Sequence, residues 1–207
     1  MLKILGKPTS INVRKVLWTC VELGIDFELA PYGSGFASCN TPEFIALNPN
    51  AMVPVIQDGD FVLWESNAIC RYLAAKHGRA DLLPVQPQQR ARVEQWMDWQ
   101  ATELNNSWRY AFMALVRQSP AHQDKAAIEA GVQAWNHHLS ILDRQLSRTG
   151  AHAVGEVFTL ADIVLGLSVH RWMVAPIERL RLPCVAAYYE RLSERVGYQV
   201  HGRNGMP

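Results

Sequence analysis

The stretch VPVIQDGDFVLWES, residues 53–66, carries the side chains best suited to bind a charged ligand. Its two apolar runs joined by DGD predict a β-hairpin, and Glu65 and Ser66 follow at the start of a predicted helix. Backbone N–H groups at a helix start attract an anion, and the hydroxyl of Ser66 can join them. The carboxylate of Glu65 can hold an ammonium group. The pair therefore indicates a ligand that carries both charges.

Pro54, at the head of the first apolar run, adds a second feature to this site. Proline has no N–H to donate to a sheet, so it occupies a strand start whose backbone faces something other than a neighbouring strand. If the Val53–Pro54 bond is cis, the N–H and C=O of Val53 point outward and can pair with an extended peptide. An ordinary edge-strand proline is the alternative. With Glu65 and Ser66, the prediction is a ligand with a peptide backbone, a carboxylate and an amine.

Short apolar runs and amphipathic stretches alternate over the first third of the chain. LKIL and DFELA are typical of strands, and SINVRKVLWTCVELG between them has helical spacing and ends at Gly24. Two strands joined by one helix predict a parallel βαβ unit. The helix TPEFIALNP, the hairpin and a helix capped by Ser66 complete the order β-α-β-α-β-β-α. The buried face expected for the first helix carries Val13, Val16, Leu17, Cys20 and Val21.

The remainder of the chain has no convincing strand. RADLLPVQPQQ, with two prolines, is typical of a linker, and RARVEQWMDWQATELNNSWRYAFMALVR predicts one long helix or a kinked pair. Thr159 and Asp162 have the spacing of a capping box at the start of a further helix. The central helix of this half has an apolar stripe suited to a helical bundle, formed by Ile128, Val132, Trp135, Leu139, Leu142 and Leu146.

Composition and charge argue against two classes of partner. Hydrophobic residues make up 49% and charged residues 19% of the 207-residue chain, as in globular proteins, and no apolar run is long enough to span a bilayer. Lys and Arg total 20 against 19 Asp and Glu, so no net field favours phosphate backbones or anionic lipid. We therefore expect a soluble protein that binds neither nucleic acid nor membrane.

The cysteines and histidines do not show metal-ligand spacing. The four cysteines are scattered without a C-x-x-C pair, which is typical of reduced thiols in a cytoplasm, and the N-terminal residues are too few for a signal-peptide core. Cys39 lacks a basic neighbour that would activate it as a redox thiol. No metal site is expected, and His137, His138 and His170 are expected to be structural or surface residues.

At this point the sequence resembles the glutathione S-transferase family. NPNAMVPVIQDGDFVLWESNAICRYLA is similar to the family's glutathione-binding signature, SINVRKVLW to the first-helix motif of its serine-type bacterial and plant classes, and FTLADI to a later capping motif. The resemblance covers the whole chain. It implies an α/β plus all-α fold, with a thioredoxin-like N-terminal domain at residues 1–80, a linker at 81–88 and an all-helical C-terminal domain at 89–207.

The resemblance also implies roles for individual residues. Val53 would bond the cysteinyl backbone of glutathione beside a cis Pro54, and Glu65 and Ser66 would take the γ-glutamyl amine and carboxylate. Ser10 would be catalytic, with Asn12 beside it at the sulfur. Thr9 is an adjacent hydroxyl, so the choice between Ser10 and Thr9 stays open, although Ser10 stands next to the helix and matches the motif. From the residues alone, Ser10 is also a candidate helix N-cap.

The implied activity is conjugation of the glutathione thiolate to a small hydrophobic electrophile, in detoxification, with glutathione as cosubstrate and a homodimer as the assembly. Trp108 and Arg109, in NNSWRYAF, are candidates to line the electrophile pocket, although the aromatic residues of this segment are also typical of a core. Glutathione-dependent reduction of disulfides or peroxides is the rival enzyme activity. A non-catalytic glutathione-binding or regulatory protein on the same fold is the rival outside enzymes.

Overall fold

The computed structural model describes residues 1–205 and begins with the predicted order of strands and helices. Four strands form one sheet in the order β2-β1-β3-β4, in which β1 is parallel to β2 and β3 is antiparallel to both β1 and β4. The elements are β1 (Leu2–Leu5), α1 (Ile11–Leu23), β2 (Phe27–Ala30), α2 (Pro42–Leu47), β3 (Val55–Asp58), β4 (Phe61–Trp64) and α3 (Ser66–Lys76).

Turn residues set the limits of these elements. Gly24 ends α1 with φ 65°, a left-handed conformation that glycine adopts without strain, and its N–H bonds the carbonyls of Cys20 and Val21. Pro54 is buried just ahead of β3, whose pairing with β1 begins at Val55 opposite Leu5. The missing N–H of the proline therefore does not interrupt the ladder.

Helix α1 is more deeply buried than the sequence indicated. We expected one apolar face, but every residue from Val13 to Cys20 is buried, including Arg14 and Lys15, whereas Val21 is only partly covered. The reason is that α1 packs against α3 and also against the second half of the chain, on α7 (Leu160–Val174) and the π-helical turn Tyr198–Gly202. The helix is thus enclosed between the two halves of the molecule.

The second half is helical throughout its described residues. α4 (Pro87–Trp99) runs through a π-helical turn (Gln100–Leu104) directly into α5 (Asn105–Leu115), so the long segment is a pair joined by a π-turn. α6 (Lys125–Thr149) precedes α7, and α8 (Pro183–Leu192) follows it. Within the described part of the chain, no helix is both long and apolar enough to cross a membrane.

Two sequence expectations for this half are met in part or in full. On α6, Ile128 and Val132 are only half-buried, while the other four residues of the predicted stripe are buried. The capping box of Thr159 and Asp162 is present at the start of α7. Between α3 and α4, Leu82 and Leu83 are buried, and the domain limits at residues 80 and 89 stay a prediction.

Candidate functional site

The turn before β3 presents free backbone. The Val53–Pro54 peptide bond is cis, as predicted, and Val53 is half-buried. Among residues 1–205, neither the N–H nor the C=O of Val53 has a hydrogen-bond partner. Buried or half-buried backbone groups are almost always paired, so these two groups are open to an external partner.

Asn48, which the sequence analysis did not identify, fixes the loop that leads into this turn. It is 3% exposed, its Nδ2 donates to the Met52 carbonyl (2.8 Å), and its Oδ1 accepts from both the backbone N and Nδ2 of Asn50 (3.0 Å each). Ala51 has a positive φ of 52° within the same loop. The asparagines of NPN are typical turn residues and were the available indication of this role.

The start of α3 differs from the sequence prediction by one residue. We expected Ser66 to be the cap, but Glu65 is the N-cap: its side chain accepts from the backbone N–H of Asn67 (3.3 Å). Ser66 is the first helical residue, 3% exposed, and its hydroxyl makes no hydrogen bond within the described chain. Glu65 has φ 74°, a strained conformation for a residue with a Cβ and one that tends to occur at functional sites.

Ser10 occupies the N-cap position of α1 without capping it. Its φ of −77° and ψ of 125° are those of a cap residue, yet its side chain makes no capping hydrogen bond. The first backbone bond of the helix runs from the N–H of Arg14 to the carbonyl of Ser10 (2.9 Å), so the N–H groups ahead of Arg14 have no bond within the helix. Ser10 is half-buried, whereas Thr9 is exposed. A half-buried hydroxyl without a cap bond therefore stands at a helix start.

The turn before β3 and the residue that caps α3 line one cleft of about 300 Å³. It brings together four of the predicted residues. Ser66 and Ser10 are not among its lining residues, and in sequence they stand one residue from Glu65 and two residues from Asn12. Trp108 and Arg109 do not line it: Trp108 is 8% exposed and packs on Phe112 and Trp135, and Arg109 is exposed. The lining residues are Asn12, Asn48, Asn50, Met52, Val53, Pro54, Trp64 and Glu65.

A larger groove of about 530 Å³ lies elsewhere, between the segment before α4 and the loop before α7. It is lined by Arg92 and Glu156 among others and contains none of the predicted site residues. Thr159, the cap of α7, is in its lining, but the capping box with Asp162 already satisfies that helix start. The smaller cleft offers the unpaired backbone of Val53, so we place the candidate site there.

A buried lysine links the first turn of α3, next to the cleft, to the helical half of the chain. Lys15 is 1% exposed, and its Nζ donates to Asn67 Oδ1 (3.2 Å) and Gln100 Oε1 (2.8 Å). Burial lowers the pKa of Lys15 to about 8, against the opposing charges of Cys70 and Glu65. Gln100 in turn donates to Ser168 Oγ (2.9 Å) on α7. Since Asn67 also bonds the Glu65 carboxylate, the network ties the strained cap of α3 to the helical half.

The cysteines do not offer an activated thiolate. All four are free, and burial raises the pKa of Cys20 to about 12 and of Cys70 to about 11. Burial also raises the pKa of Cys39, against the charge of Lys7. A thiolate used in this cleft must therefore come from a ligand.

Of the three histidines expected to be structural or surface residues, His137 is exposed and the other two have local partners. His170 is buried, with Nδ1 on the Tyr189 hydroxyl (3.0 Å) and Nε2 on the Gly205 carbonyl (2.8 Å), and His138 Nδ1 lies 2.8 Å from the Ala134 carbonyl. In the part of the chain that the structure describes, no group of three or more His, Cys, Asp or Glu side chains is arranged to hold a metal ion.

Comparison with known proteins relates both halves of the chain to one family. Residues 1–75 match the family model "Glutathione S-transferase, N-terminal domain", and residues 125–191 match "Glutathione S-transferase, C-terminal domain". The chain is 36% identical over 197 residues to glutathione S-transferase GstB of Escherichia coli K12, covering 94% of each protein. It is 32% identical to glutathione S-transferase 3 of Zea mays, covering 96% of this chain and 91% of that one.

The solved structures extend this similarity to the whole fold. A theta class glutathione S-transferase from the citrus canker pathogen Xanthomonas axonopodis pv. citri, with glutathione bound, superposes with a TM-score of 0.92 at 39% identity and covers 100% of this chain and 99% of that one. Glutathione transferase F7 of Populus trichocarpa superposes with a TM-score of 0.85 at 28% identity, covering 99% of this chain and 100% of that one.

Proposed function

The chain belongs to the glutathione S-transferase family, and on that basis we propose that the cleft between Ser10, Val53 and Glu65 holds glutathione for transfer to a small hydrophobic electrophile. The protein is a transferase, with glutathione as its cosubstrate. The observation that carries the assignment to this cleft is the unpaired backbone of Val53 in its lining, and the unbonded hydroxyls of Ser66 and Ser10 at the starts of α3 and α1 support it.

Three residues are proposed to hold the tripeptide. The N–H and C=O of Val53, beside the cis Pro54, pair with the backbone of the cysteinyl residue as an added strand would. Ser66 and the N-terminal N–H groups of α3 take the γ-glutamyl carboxylate. Glu65 takes the ammonium group, and its position next to Ser66 at the start of α3 supports this role. Each charged end of the ligand thereby gains a charge-assisted hydrogen bond.

Ser10 is proposed to stabilise the glutathione thiolate, with Asn12 in the lining of the same cleft. A free thiol of pKa about 8.5 is only a few per cent ionised at pH 7. A hydrogen bond to a charged acceptor contributes roughly 1.5–3 kcal/mol, equivalent to about one to two pKa units, which makes the thiolate a major species. The thiolate sulfur then forms a bond to the electrophilic carbon, and the leaving group departs with the electron pair.

Trp108 and Arg109 are proposed to contribute to the electrophile pocket on α5. Trp108 packs edge-on against Phe112, with ring centroids 5.3 Å apart, so the pair offers an apolar aromatic surface. Arg109 is exposed one residue further along the helix and is suited to the pocket rim. Alanine at each position, assayed with electrophiles of different size, tests whether KM for the electrophile changes while KM for glutathione does not.

A cytoplasmic homodimer is the proposed setting. Met52 and Trp64 in the cleft lining are 67% and 41% exposed, and Phe61 at the other end of β4 is 46% exposed, which is apolar surface that a second subunit would cover. The four free cysteines are in keeping with a reducing compartment. Sedimentation equilibrium tests the dimer, and a monomer at micromolar concentration contradicts it.

The activity is tested by following the conjugation of glutathione to 1-chloro-2,4-dinitrobenzene near neutral pH. We expect saturable turnover in both substrates and release of chloride. Glutathione binding without turnover on a broad electrophile panel contradicts the transferase assignment and favours a binding protein. Rapid reduction of mixed disulfides with negligible conjugation favours the reductase instead.

A further inference from the structure

Glutathione ends in a second carboxylate, on its glycyl residue, which the proposed contacts do not yet include. Glu65 and Ser66 take the amine and the carboxylate of the γ-glutamyl residue at one end of the tripeptide. The glycyl carboxylate lies at the opposite end, beyond the cysteinyl backbone that pairs with Val53. A cationic side chain on the far side of Val53 from α3 would suit this group, because a charged donor makes the stronger hydrogen bonds to a carboxylate.

The sheet fixes the order of the segments around the cleft. At the edge where β1, β2 and β4 end and β3 begins, the paired residues follow one another across β4, β3, β1 and β2 as Trp64, Val55, Leu5 and Ala30. The start of α3 follows β4, the Val53 turn precedes β3, and Lys7 and Gly33 follow β1 and β2. A ligand that begins at α3 and passes Val53 is therefore directed toward the end of β1.

The length of the tripeptide fits this path. Neighbouring strands are about 4.8 Å apart, so the end of β1 is about 10 Å from the end of β4. Three extended residues also span about 10 Å. The glycyl end of an extended glutathione therefore reaches the segment that follows β1, which carries Lys7.

Lys7 packs beside Val53 at this point. The position that a Cβ on Gly33 would take lies 3.6 Å from Lys7 Cδ and 3.9 Å from both Lys7 Cγ and Val53 Cγ2. The stem of the lysine and the side chain of Val53 thus flank the same turn. Gly33 has φ 106°, and its N–H donates to the Ala37 carbonyl (2.8 Å), which closes that turn. Lys7 is half-buried and is not itself a lining residue of the cleft, but Val53 is.

Two further contacts fix the surroundings of Lys7. Its carbonyl accepts from the Ser10 N–H (3.1 Å), so the lysine and the proposed catalytic serine belong to one tight turn between β1 and α1. Cys39 and Val53 both pack on the small apolar cluster that contains Phe44. Burial raises the pKa of Cys39, and the charge of Lys7 opposes that rise, which agrees with a lysine near this cluster.

We propose that Lys7 determines the specificity of the cleft for its thiol cosubstrate: its ammonium group binds the free glycyl carboxylate, so thiols in which this carboxylate is missing or blocked are disfavoured. The inference rests on the proposed function. A lysine is a compact charge with three donors on a flexible stem, which suits a carboxylate at the end of a cleft. The carboxylate takes no part in the reaction, so the contact should lower KM for glutathione and change kcat much less.

A matched pair of ligands tests this inference. S-methylglutathione and its glycyl amide have no free thiol and differ only at the glycyl end, and calorimetric titration gives the affinity of each. An exposed ion pair changes affinity by up to about fivefold, and a well-buried hydrogen bond to a charged group by more than tenfold. Because Lys7 is half-buried, we expect the wild-type protein to bind the acid about five- to tenfold more tightly than the amide.

Variants assign the preference to one side chain. Lys7→Met should bring the ratio of the two affinities close to one and raise KM for glutathione by a similar factor, whereas Lys7→Arg should keep most of the preference. Lys3→Met is the matched control, since Lys3 lies on β1 and pairs with Glu28 (3.4 Å), and it should keep the wild-type ratio. Glu65→Ala combined with Ser66→Ala should weaken both ligands and leave their ratio unchanged.

The wild-type ratio decides the inference even where a variant fails to fold. Equal affinity for the acid and the amide, or a preference that survives in folded Lys7→Met, overturns it and leaves Lys7 as a residue that packs on Gly33. In both cases the proposed function stands, because glutathione still binds. A wild-type protein that binds neither ligand and does not conjugate glutathione refutes the proposed function, and the inference with it.

Discussion

Thr159 and Ser10 both stand one residue ahead of a helix, and their surroundings differ. At Thr159 the Asp162 carboxylate accepts from the Thr159 N–H (2.8 Å), the Ala153 N–H (2.9 Å) and the Tyr188 hydroxyl (2.9 Å), all within the protein. At Ser10 the hydroxyl makes no cap bond. The hydroxyl of Ser66, at the start of α3, is likewise unbonded among the described residues.

The comparison separates helix starts that stabilise the fold from those that serve a ligand. A hydroxyl residue stands at or next to the start of each of α7, α1 and α3, so residue type alone does not distinguish them. The difference is whether their partners lie in the chain itself. A helix start with its polar groups satisfied should matter for stability, and one with open groups should matter for glutathione.

The largest effect is expected at the start of α7, where the polar groups are satisfied within the protein. Asp162→Ala removes the acceptor from several buried donors, and since each unsatisfied buried group costs about 1–3 kcal/mol, we expect a loss of about 3–5 kcal/mol in the free energy of unfolding. Urea denaturation followed by tryptophan fluorescence measures the loss. Any folded Asp162→Ala protein should bind glutathione with wild-type affinity.

Asp124→Ala is the matched control for that variant. Asp124 caps α6 by accepting from Ala126 and Ala127 but is exposed, so its loss should cost only about 1 kcal/mol. Equal destabilisation by the two substitutions would contradict the larger contribution to stability that we assign to the buried capping box of Thr159 and Asp162.

The next effect is expected at the open start of α3. Glu65→Ala combined with Ser66→Ala removes partners from two charged groups of glutathione, each interaction contributing roughly 1.5–3 kcal/mol, so we expect affinity to fall at least about tenfold with the fold intact. Isothermal titration calorimetry measures the affinity, and circular dichroism checks the fold.

Two variants sharpen this test. Glu65→Gln keeps an oxygen that can cap α3 but removes the charge that pairs with the ammonium group, so affinity should fall although the helix keeps its cap. Asp60→Ala removes an exposed carboxylate from the nearby hairpin turn and should change nothing. Wild-type affinity in a folded Glu65→Ala, Ser66→Ala protein would refute the assignment of the ligand's charged ends.

The smallest effect concerns Lys15, which links Asn67 in the first turn of α3 to Gln100 in the helical half. Its pKa is about 8 in the folded protein, against an ordinary value of 10.5, so between these values the unfolded chain binds the proton and the folded chain does not. Stability contributed by Lys15 therefore rises with pH across that window. The difference in unfolding free energy between wild type and Lys15→Met, measured from pH 7.5 to pH 10, should follow this rise. A pH-independent difference would contradict the depressed pKa.

Local patterns were enough to predict the order of strands and helices, and the resemblance to the family supplied the fold class. Strand and helix spacing, the DGD turn, Gly24 and the Thr159–Asp162 pair each act over a few residues, and the structure confirms the elements they indicated. The cis bond at Pro54 was predicted from the family resemblance and is present. The cap of α3 was wrong by one residue because a positive φ at Glu65 is imposed by the surrounding fold and leaves no pattern in the sequence.

Long-range partners could not be predicted. Lys15 in NVRKV has the pattern of an exposed lysine, and its burial depends on Asn67 and on Gln100 in the other half of the chain. Arg14 and Arg171 likewise lie on helices far apart in sequence. Their burial is a property of the packed molecule, and sequence spacing carries no information about it.

The central claim, that the open hydroxyl at the start of α1 activates glutathione, is tested most directly by the pKa of the bound thiol. Thiolate absorbance of the binary complex is followed against pH for wild type, Ser10→Ala and Thr9→Ala. Because a donated hydrogen bond favours the thiolate, Ser10→Ala should raise the thiol pKa by about one to two units and lower conjugation near pH 7 about tenfold, with recovery at alkaline pH. Thr9→Ala should leave the pKa unchanged. A shift in Thr9→Ala alone, or in neither variant, would contradict the account.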